Sequence, residues 1–261
     1  MNRERRAVLR GIAALTVGAV GSGAAAENGV TAERGPAADG ASAPSARQEV
    51  DTSLAPGVTL FDLNGDGSYT ATVEAGDDAR DEAHPRPIHV TSGGNSTVDY
   101  AASIAAPSSE TTLGGLGELA YDYYEGPNNV NPDDSGALAP DETFLVVENA
   151  DGRHGMYLTA DAGGGDERWT TFDVLARMRG DTAGTSRWFE YTETEGGESA
   201  TFDDVIARFG DDARLVRVGV GHGNAVNPAT LDLYYDNLVI DGRTSRFPVS
   251  VTKRVSQSRT A

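Results

Sequence analysis

Between residues 58 and 240 the chain is written as short runs of alternating apolar and polar residues, broken by clusters of Gly, Asn, Asp and Pro. In an extended strand successive side chains point to opposite faces, so a period of two reads as a half-buried strand. The runs are 58–63, 68–73, 88–91, 116–124, 143–148, 155–159, 168–177, 187–191, 215–220 and 231–240. Asn64-Gly65-Asp66-Gly67 and Asp151-Gly152 sit between runs as tight turns, the second of the hairpin type. In the last run Leu231, Leu233, Tyr235, Asn237 and Val239 are expected on one face, and Asp232, Tyr234, Asp236, Leu238 and Ile240 on the other. One segment breaks the pattern. Phe202, Val205, Ile206 and Phe209 are spaced as one helical stripe, with Thr201 as N-cap, Asp203 and Asp204 in the first turn and Gly210 as the stop. Many strands and one short helix (about 201–209) predict an all-β fold, an antiparallel jelly-roll sandwich.

The ends differ from the middle. Arg5-Arg6, a second basic site at Arg10, an uncharged run from Gly11 to Ala26 and a small-residue site at Ala24-Ala25-Ala26 read as a signal peptide over residues 1–26. The run of 16 residues is short for a membrane span. Residues 27–50 hold almost no large apolar residue, and a segment that cannot bury surface reads as a disordered linker. The sandwich domain is expected over 51–253 and a flexible tail over 254–261.

The charge is strongly one-sided, with 40 acids, 21 basic residues and a net charge of −19. Loss of residues 1–26 removes four arginines and one glutamate and takes the net charge to −22. This disfavours nucleic acid and anionic membranes, which need basic patches. The absence of cysteine excludes disulfides, thiolate metal sites and a cysteine nucleophile. Lys253 is the only lysine. In molar salt the Debye length is about 3 Å, so crowded surface carboxylates no longer repel strongly.

Three resemblances follow from these residues. The Arg5-Arg6 leader resembles a twin-arginine (Tat) export signal, which implies the Tat machinery as a partner and an extracellular or cell-surface location. High Asp and Arg with one Lys resembles haloarchaeal proteins, which implies a halophilic, salt-adapted surface. The stretches 116–124 through 141–148, and 201–209 through 235–242, look like secreted β-sandwiches of the concanavalin A-like and carbohydrate-binding-module type, including uncharacterised exported proteins.

The expected sites follow from residue chemistry and from that last resemblance. Asp62-x-Asn64-x-Asp66-Gly67 places hard oxygens at every second position, as in the start of a calcium loop. The twelfth position is Val73, with Glu74 one late, so it is not an EF-hand. The resemblance adds Asp236 and implies a structural Ca²⁺ on Asp62, Asn64, Asp66 and Asp236, against the plain alternative of an Asp-rich turn. A sugar site needs aromatic faces with polar groups around them. Trp188, Trp169, Tyr124 and Tyr157 are the aromatic candidates, and the polar loops 125–135 and 221–228, the latter with Asn224, are the candidate rim. No catalytic residue is assigned. The Glu-x-Asp-x-x-Glu pattern of sandwich glucanases is absent, Glu193, Glu195 and Glu198 form a loop cluster, and His84, His89, His154 and His222 have no metal-ligand spacing. The expected function is therefore an exported, non-catalytic sandwich that binds glycan or cell-surface material in high salt. A polysaccharide hydrolase or lyase of concanavalin A-like fold, and a surface structural protein, remain the alternatives.

Overall fold

The computed structural model describes residues 56–62, 65–93, 99–107, 110–129, 140–161, 167–180, 188–190, 202–224 and 230–256. The residues assigned to the leader and linker lie outside this set, as do Asn64, Thr201 and the cluster Glu193, Glu195 and Glu198.

Thirteen strands and two short helices are described. They are β1 (Gly57–Asp62), β2 (Thr72–Ala75), β3 (Ile88–Gly93), β4 (Asp99–Ala105), β5 (Leu119–Glu125), β6 (Pro140–Asn149), β7 (Gly152–Asp161), β8 (Thr170–Asp173), α1 (Val174–Met178), β9 (Trp188–Glu190), α2 (Phe202–Phe209), β10 (Arg214–Asn224), β11 (Thr230–Ile240), β12 (Arg243–Ser245) and β13 (Val251–Ser256). A seven-stranded sheet runs β13-β1-β4-β10-β6-β7-β9, and a six-stranded sheet comprises β2-β3-β11-β5-β8, with β12 also paired to β11. Pairing is antiparallel throughout except between β1 and β13, which run parallel.

The two sheets share one core. Val58, Leu60, Ala101, Leu145, Val147, Val218 and Val220 from the first meet Val73, Val90, Tyr121, Tyr123, Leu233 and Tyr235 from the second. Each fully buried apolar side chain of this size contributes about 1.5–3 kcal/mol. Tyrosine hydroxyls tie the layers as well. Tyr121 Oη hydrogen-bonds Thr143 Oγ1 at 2.9 Å, and Tyr235 Oη donates to the Pro140 carbonyl at 2.7 Å. Phe247 closes this cluster edge-on to both rings.

The expected helix stands at Phe202–Phe209, with Phe202, Val205 and Phe209 buried and Gly210 at φ +95° ending it. A second helix corrects the expectation of one. The run 168–177, read as a strand, leaves the sheet at Asp173, whose side chain caps α1 by accepting from Ala176 N at 2.9 Å. A buried Val174 and Leu175 suit either structure, so the cap decides. Strand β4 has no counterpart among the sequence runs, because all seven of its residues are buried and it has no alternation to detect. Strand β13 continues three residues past Lys253, the expected domain end.

The alternation in β11 holds only as far as Asp236. The register to β5 slips by one residue between Asp236 and Val239, and Asn237 takes the left-handed conformation at φ +51°. Asn tolerates that conformation better than most residues. This bulge turns Leu238 and Ile240 into the core beside Leu233 and Tyr235, which corrects the predicted faces. The strand then ends at Asp241-Gly242, both at positive φ, as in a type I′ turn. Burial pushes the Asp241 carboxyl up, but hydrogen bonds from Thr111 Oγ1 and from the backbone of Gly117 and Glu118 outweigh it and hold it below the ordinary value of 3.8.

Candidate binding face on the six-stranded sheet

The core takes one face of the six-stranded sheet, and the other carries most of the chemistry the structure describes. Register lines up Glu74, His89, Tyr234 and Tyr124 across β2, β3, β11 and β5. Trp169 follows at the edge, its ring centre 5.7 Å from that of Tyr124. Tyr234 meets Tyr124 edge to face at 5.6 Å and stacks flat on His89 at 4.0 Å. A second row sets Asp236, Asp122 and Thr171 across β11, β5 and β8. Alternation puts these residues outside: β11 and β5 send Leu233, Tyr235, Tyr121 and Tyr123 inward, leaving Asp232, Tyr234, Asp122 and Tyr124 on the far side.

Asp232, itself buried, is the hub of one half. His89 Nε2 lies 2.7 Å from its Oδ1, and Asn128 donates to Oδ2 through its backbone and its side chain at 3.1 and 3.2 Å. Gly126 passes so close that any Cβ there would run into the Asp232 carboxylate. Asn129 continues the clamp, accepting from Asp232 N and donating to Glu125 Oε1. The first residues of the polar loop expected at 125–135 are thus fixed to β11. Glu74 lies 3.9 Å from His89 Nδ1 and is largely exposed. Burial first, and the neighbouring Asp232 and Asp78 carboxylates next, push the Tyr234 phenol up to about 12.

A loop covers the other half. Residues 76–87 are pinned by Trp169 Nε1 donating to the Ala79 carbonyl at 3.0 Å, by Asn237 Nδ2 donating to the Ala83 carbonyl at 3.1 Å, and by Arg86 N donating to Asp236 Oδ2 at 3.0 Å. His84 lies flat on Trp169 at 4.0 Å, with Nδ1 at 2.9 Å from Asp81 and Nε2 at 3.3 Å from Asp122. Hydrogen bonds from His84, its backbone N–H first, hold the Asp81 carboxyl below its ordinary value. Trp169 therefore has one face occupied and its only donor spent, and it braces the loop.

The candidate residues fall into separate places. Trp169 and Tyr124 are together on the six-stranded sheet. Tyr157 and Trp188 lie at the β7–β9 edge of the other sheet, where Tyr157 pairs with Phe144 and Phe189, and Trp188 with Leu158. Asn224 ends β10 opposite Asp99. Asp62 is buried at the end of β1 on the inner side of the seven-stranded sheet, and Asp66 is exposed in the turn, taken by Ser68. Asp236 is on the outer side of the six-stranded sheet, so a whole sheet separates it from Asp62. The expected set of Asp62, Asn64, Asp66 and Asp236 is not brought together, and Asn64 lies outside the described residues. Among the described residues no group of three His, Asp or Glu is placed to hold a metal. His84, His89, Asp232 and Tyr234 are not among the expected binding residues, whereas Asn128 falls in the expected rim loop 125–135. Their signal was present in the β11 alternation, which already put Asp232 and Tyr234 on one face.

The face offers rigid aromatic edges, carboxylates held by donors, and amide groups, a set suited to a polar, hydroxyl-rich ligand. The chain matches no known family model, and no curated protein is similar to it in sequence.

Proposed function

We propose that the protein is an exported, non-catalytic β-sandwich that binds glycan through the outer face of its six-stranded sheet, at high salt. The observation that carries this reading is the row His89, Tyr234, Tyr124 and Trp169 laid across four elements, with Asp232 and Asn128 beside it. Tyr124 is part-exposed, as are His89 and Trp169, and supplies the stacking edge for a sugar. The exposed Asn128 and the part-exposed His89 supply hydrogen bonds to hydroxyls, and the buried Asp232 holds both in place.

Two features favour binding over hydrolysis or elimination. Every oxygen of Asp122, Asp232 and Asp236 already has a protein partner, whereas a glycosidase keeps one carboxyl free to protonate the leaving group. Tyr234, held as a phenol up to about 12, is a poor base at neutral pH. The fold reading extends to a jelly roll on the strand orders 3-11-5-8 and 4-10-6-7, in which the pair β3–β4 lies beside β11–β10 and that beside β5–β6. The Tat-type leader and the acidic composition support export and salt adaptation.

The test is retention on a panel of insoluble and soluble polysaccharides in molar NaCl, with product release assayed in parallel. Binding weakened at least tenfold by Tyr124→Ala, without released oligosaccharide, supports the proposal. Release of product moves the protein to the hydrolase or lyase class. Retention on none of the panel, with self-association in brine, favours a surface structural protein.

A further inference from the structure

Asp62 closes β1 and Asp99 opens β4, and the two are direct partners in the antiparallel register. They share the inner face with the pairs Leu60–Ala101 and Val58–Ser103. Directly opposed residues in such a ladder have Cβ atoms roughly 4.5–5.5 Å apart. Asp62 is 0% exposed and Asp99 is 1% exposed. Two carboxylates this close and this dry repel each other unless something positive or donating answers both.

Only Asp62 is answered at both oxygens. Asp62 accepts four hydrogen bonds: from Gly65 N at 2.7 Å, Asp66 N at 3.2 Å, Gly67 N at 2.9 Å and Ser256 Oγ at 2.6 Å. Asp99 Oδ2 accepts from the backbone N–H and from the hydroxyl of Thr70. Asp99 Oδ1 has no partner, and among the described residues it is the one buried side-chain oxygen or nitrogen in that state. Neither aspartate takes part in an ion pair among the described residues. On its other side Asp99 is in register with Asn224 of β10, so Asp62, Asp99 and Asn224 occupy one register row across β1, β4 and β10.

We propose that this row holds a hard divalent cation of the Ca²⁺ class, with Asp99 Oδ1 as its direct protein ligand and the Asp62 charge beside it. Two opposed carboxylates call for a charge of two, and oxygen donors without nitrogen or sulfur favour calcium or magnesium over transition metals. Calcium accepts carboxylates together with neutral oxygens and water, which fits a site where Asp62 is already saturated by donors. The Asp66 carboxylate, exposed and held by Ser68, is outside this site, which separates the assignment from a calcium loop over residues 62–66.

The experiment uses the full chain at fixed molar NaCl. Thermal unfolding is followed after EDTA treatment and again with CaCl₂ restored, and Ca²⁺ is titrated calorimetrically into the EDTA-treated protein. A ligand bound only by the folded state at a hundredfold excess over Kd raises Tm in a domain of this size by about 5–10 °C. The expected result is a rise of that order, one calorimetric site, loss of both in Asp99→Asn, and retention of both in Asp66→Asn. Asp99→Asn keeps an oxygen for Thr70 and removes a repulsive charge, so without Ca²⁺ it should unfold no earlier than the EDTA-treated wild type. Should that variant not fold, the wild-type titration and Asp66→Asn still decide. No heat and no Tm response in the wild type overturns the proposal. A response lost in Asp66→Asn but kept in Asp99→Asn also overturns it and moves the cation to the turn.

Discussion

Strands β4 and β5 have the same length and lie on the two sheets of one sandwich, yet their residues meet different surroundings. Every residue of β4 is buried, and β5 alternates between buried and partly exposed positions. The far face of the seven-stranded sheet is itself packed: Phe61, Tyr100 and Phe144 meet edge to face at 5.9 and 6.1 Å. Gly219 and Gly221 of β10 leave room for Ile104, Tyr100 and Phe144, since a Cβ at either would overlap them. The far face of the six-stranded sheet instead carries His89, Asp232, Tyr234 and Tyr124. The centre of one sheet spends both faces on packing, and the other sheet keeps one for polar chemistry.

Substitutions on the two faces test this contrast. Tyr100→Ala, a truncation on a nominally outer face, should cost most, about 3–5 kcal/mol, as for a core aromatic. Tyr124→Ala, at the matching place on the other sheet, should cost far less stability while it impairs glycan binding. Equal losses in chemical denaturation would erase the distinction between the faces. Next comes Gly221→Ala. In an open strand this change gains roughly 0.5–1 kcal/mol. Here the added methyl meets Phe144 and Tyr100, and overpacking of about 1–3 kcal/mol should win. A stabilised variant would mean that those rings yield freely.

The strand alternations carried the sandwich and the outer positions of β5 and β11, because one-sided burial leaves a period of two in the sequence. Strand β4 was invisible for the opposite reason. The Asn237 bulge was legible only as an Asn inside an apolar run, and it moved Leu238 and Ile240 to the face opposite the one expected. Of the binding face, Trp169 and Tyr124 were visible as aromatics. Their link to His84 and His89 was not, because a loop and a cross-strand register made those contacts. Asp99 carried no signal at all, since its partner in the register lies 37 positions away.

Two smaller effects probe single groups. The folded state holds the Asp241 carboxyl below 3.8, so its contribution is present above that pH and is lost as pH falls through the lower folded value. Asp241 is exposed, so solvent screening reduces the effect: Asp241→Asn should destabilise by less than about 1 kcal/mol at neutral pH and progressively less in acid, read by denaturant unfolding across pH. Tyr234 has the opposite sign. Its phenol ionises near 12 in the folded protein against 10.0 when free, so its contribution is intact below 10.0 and disappears as pH rises toward 12. Tyr234→Phe should remove one tyrosine from the late part of the phenolate absorbance titration.

The parallel pairing of β1 with β13 has a mechanical consequence. Five register pairs, from Val58–Val251 to Asp62–Ser256, join the first and last described strands side by side in the same direction. Tension applied at the start of β1 and the end of β13 pulls the two strands past each other lengthwise. All the hydrogen bonds of that seam then bear the load together, where an antiparallel pair pulled from one end would peel open bond by bond. A sandwich held by one end and loaded at the other would thus resist tearing at its own closing seam.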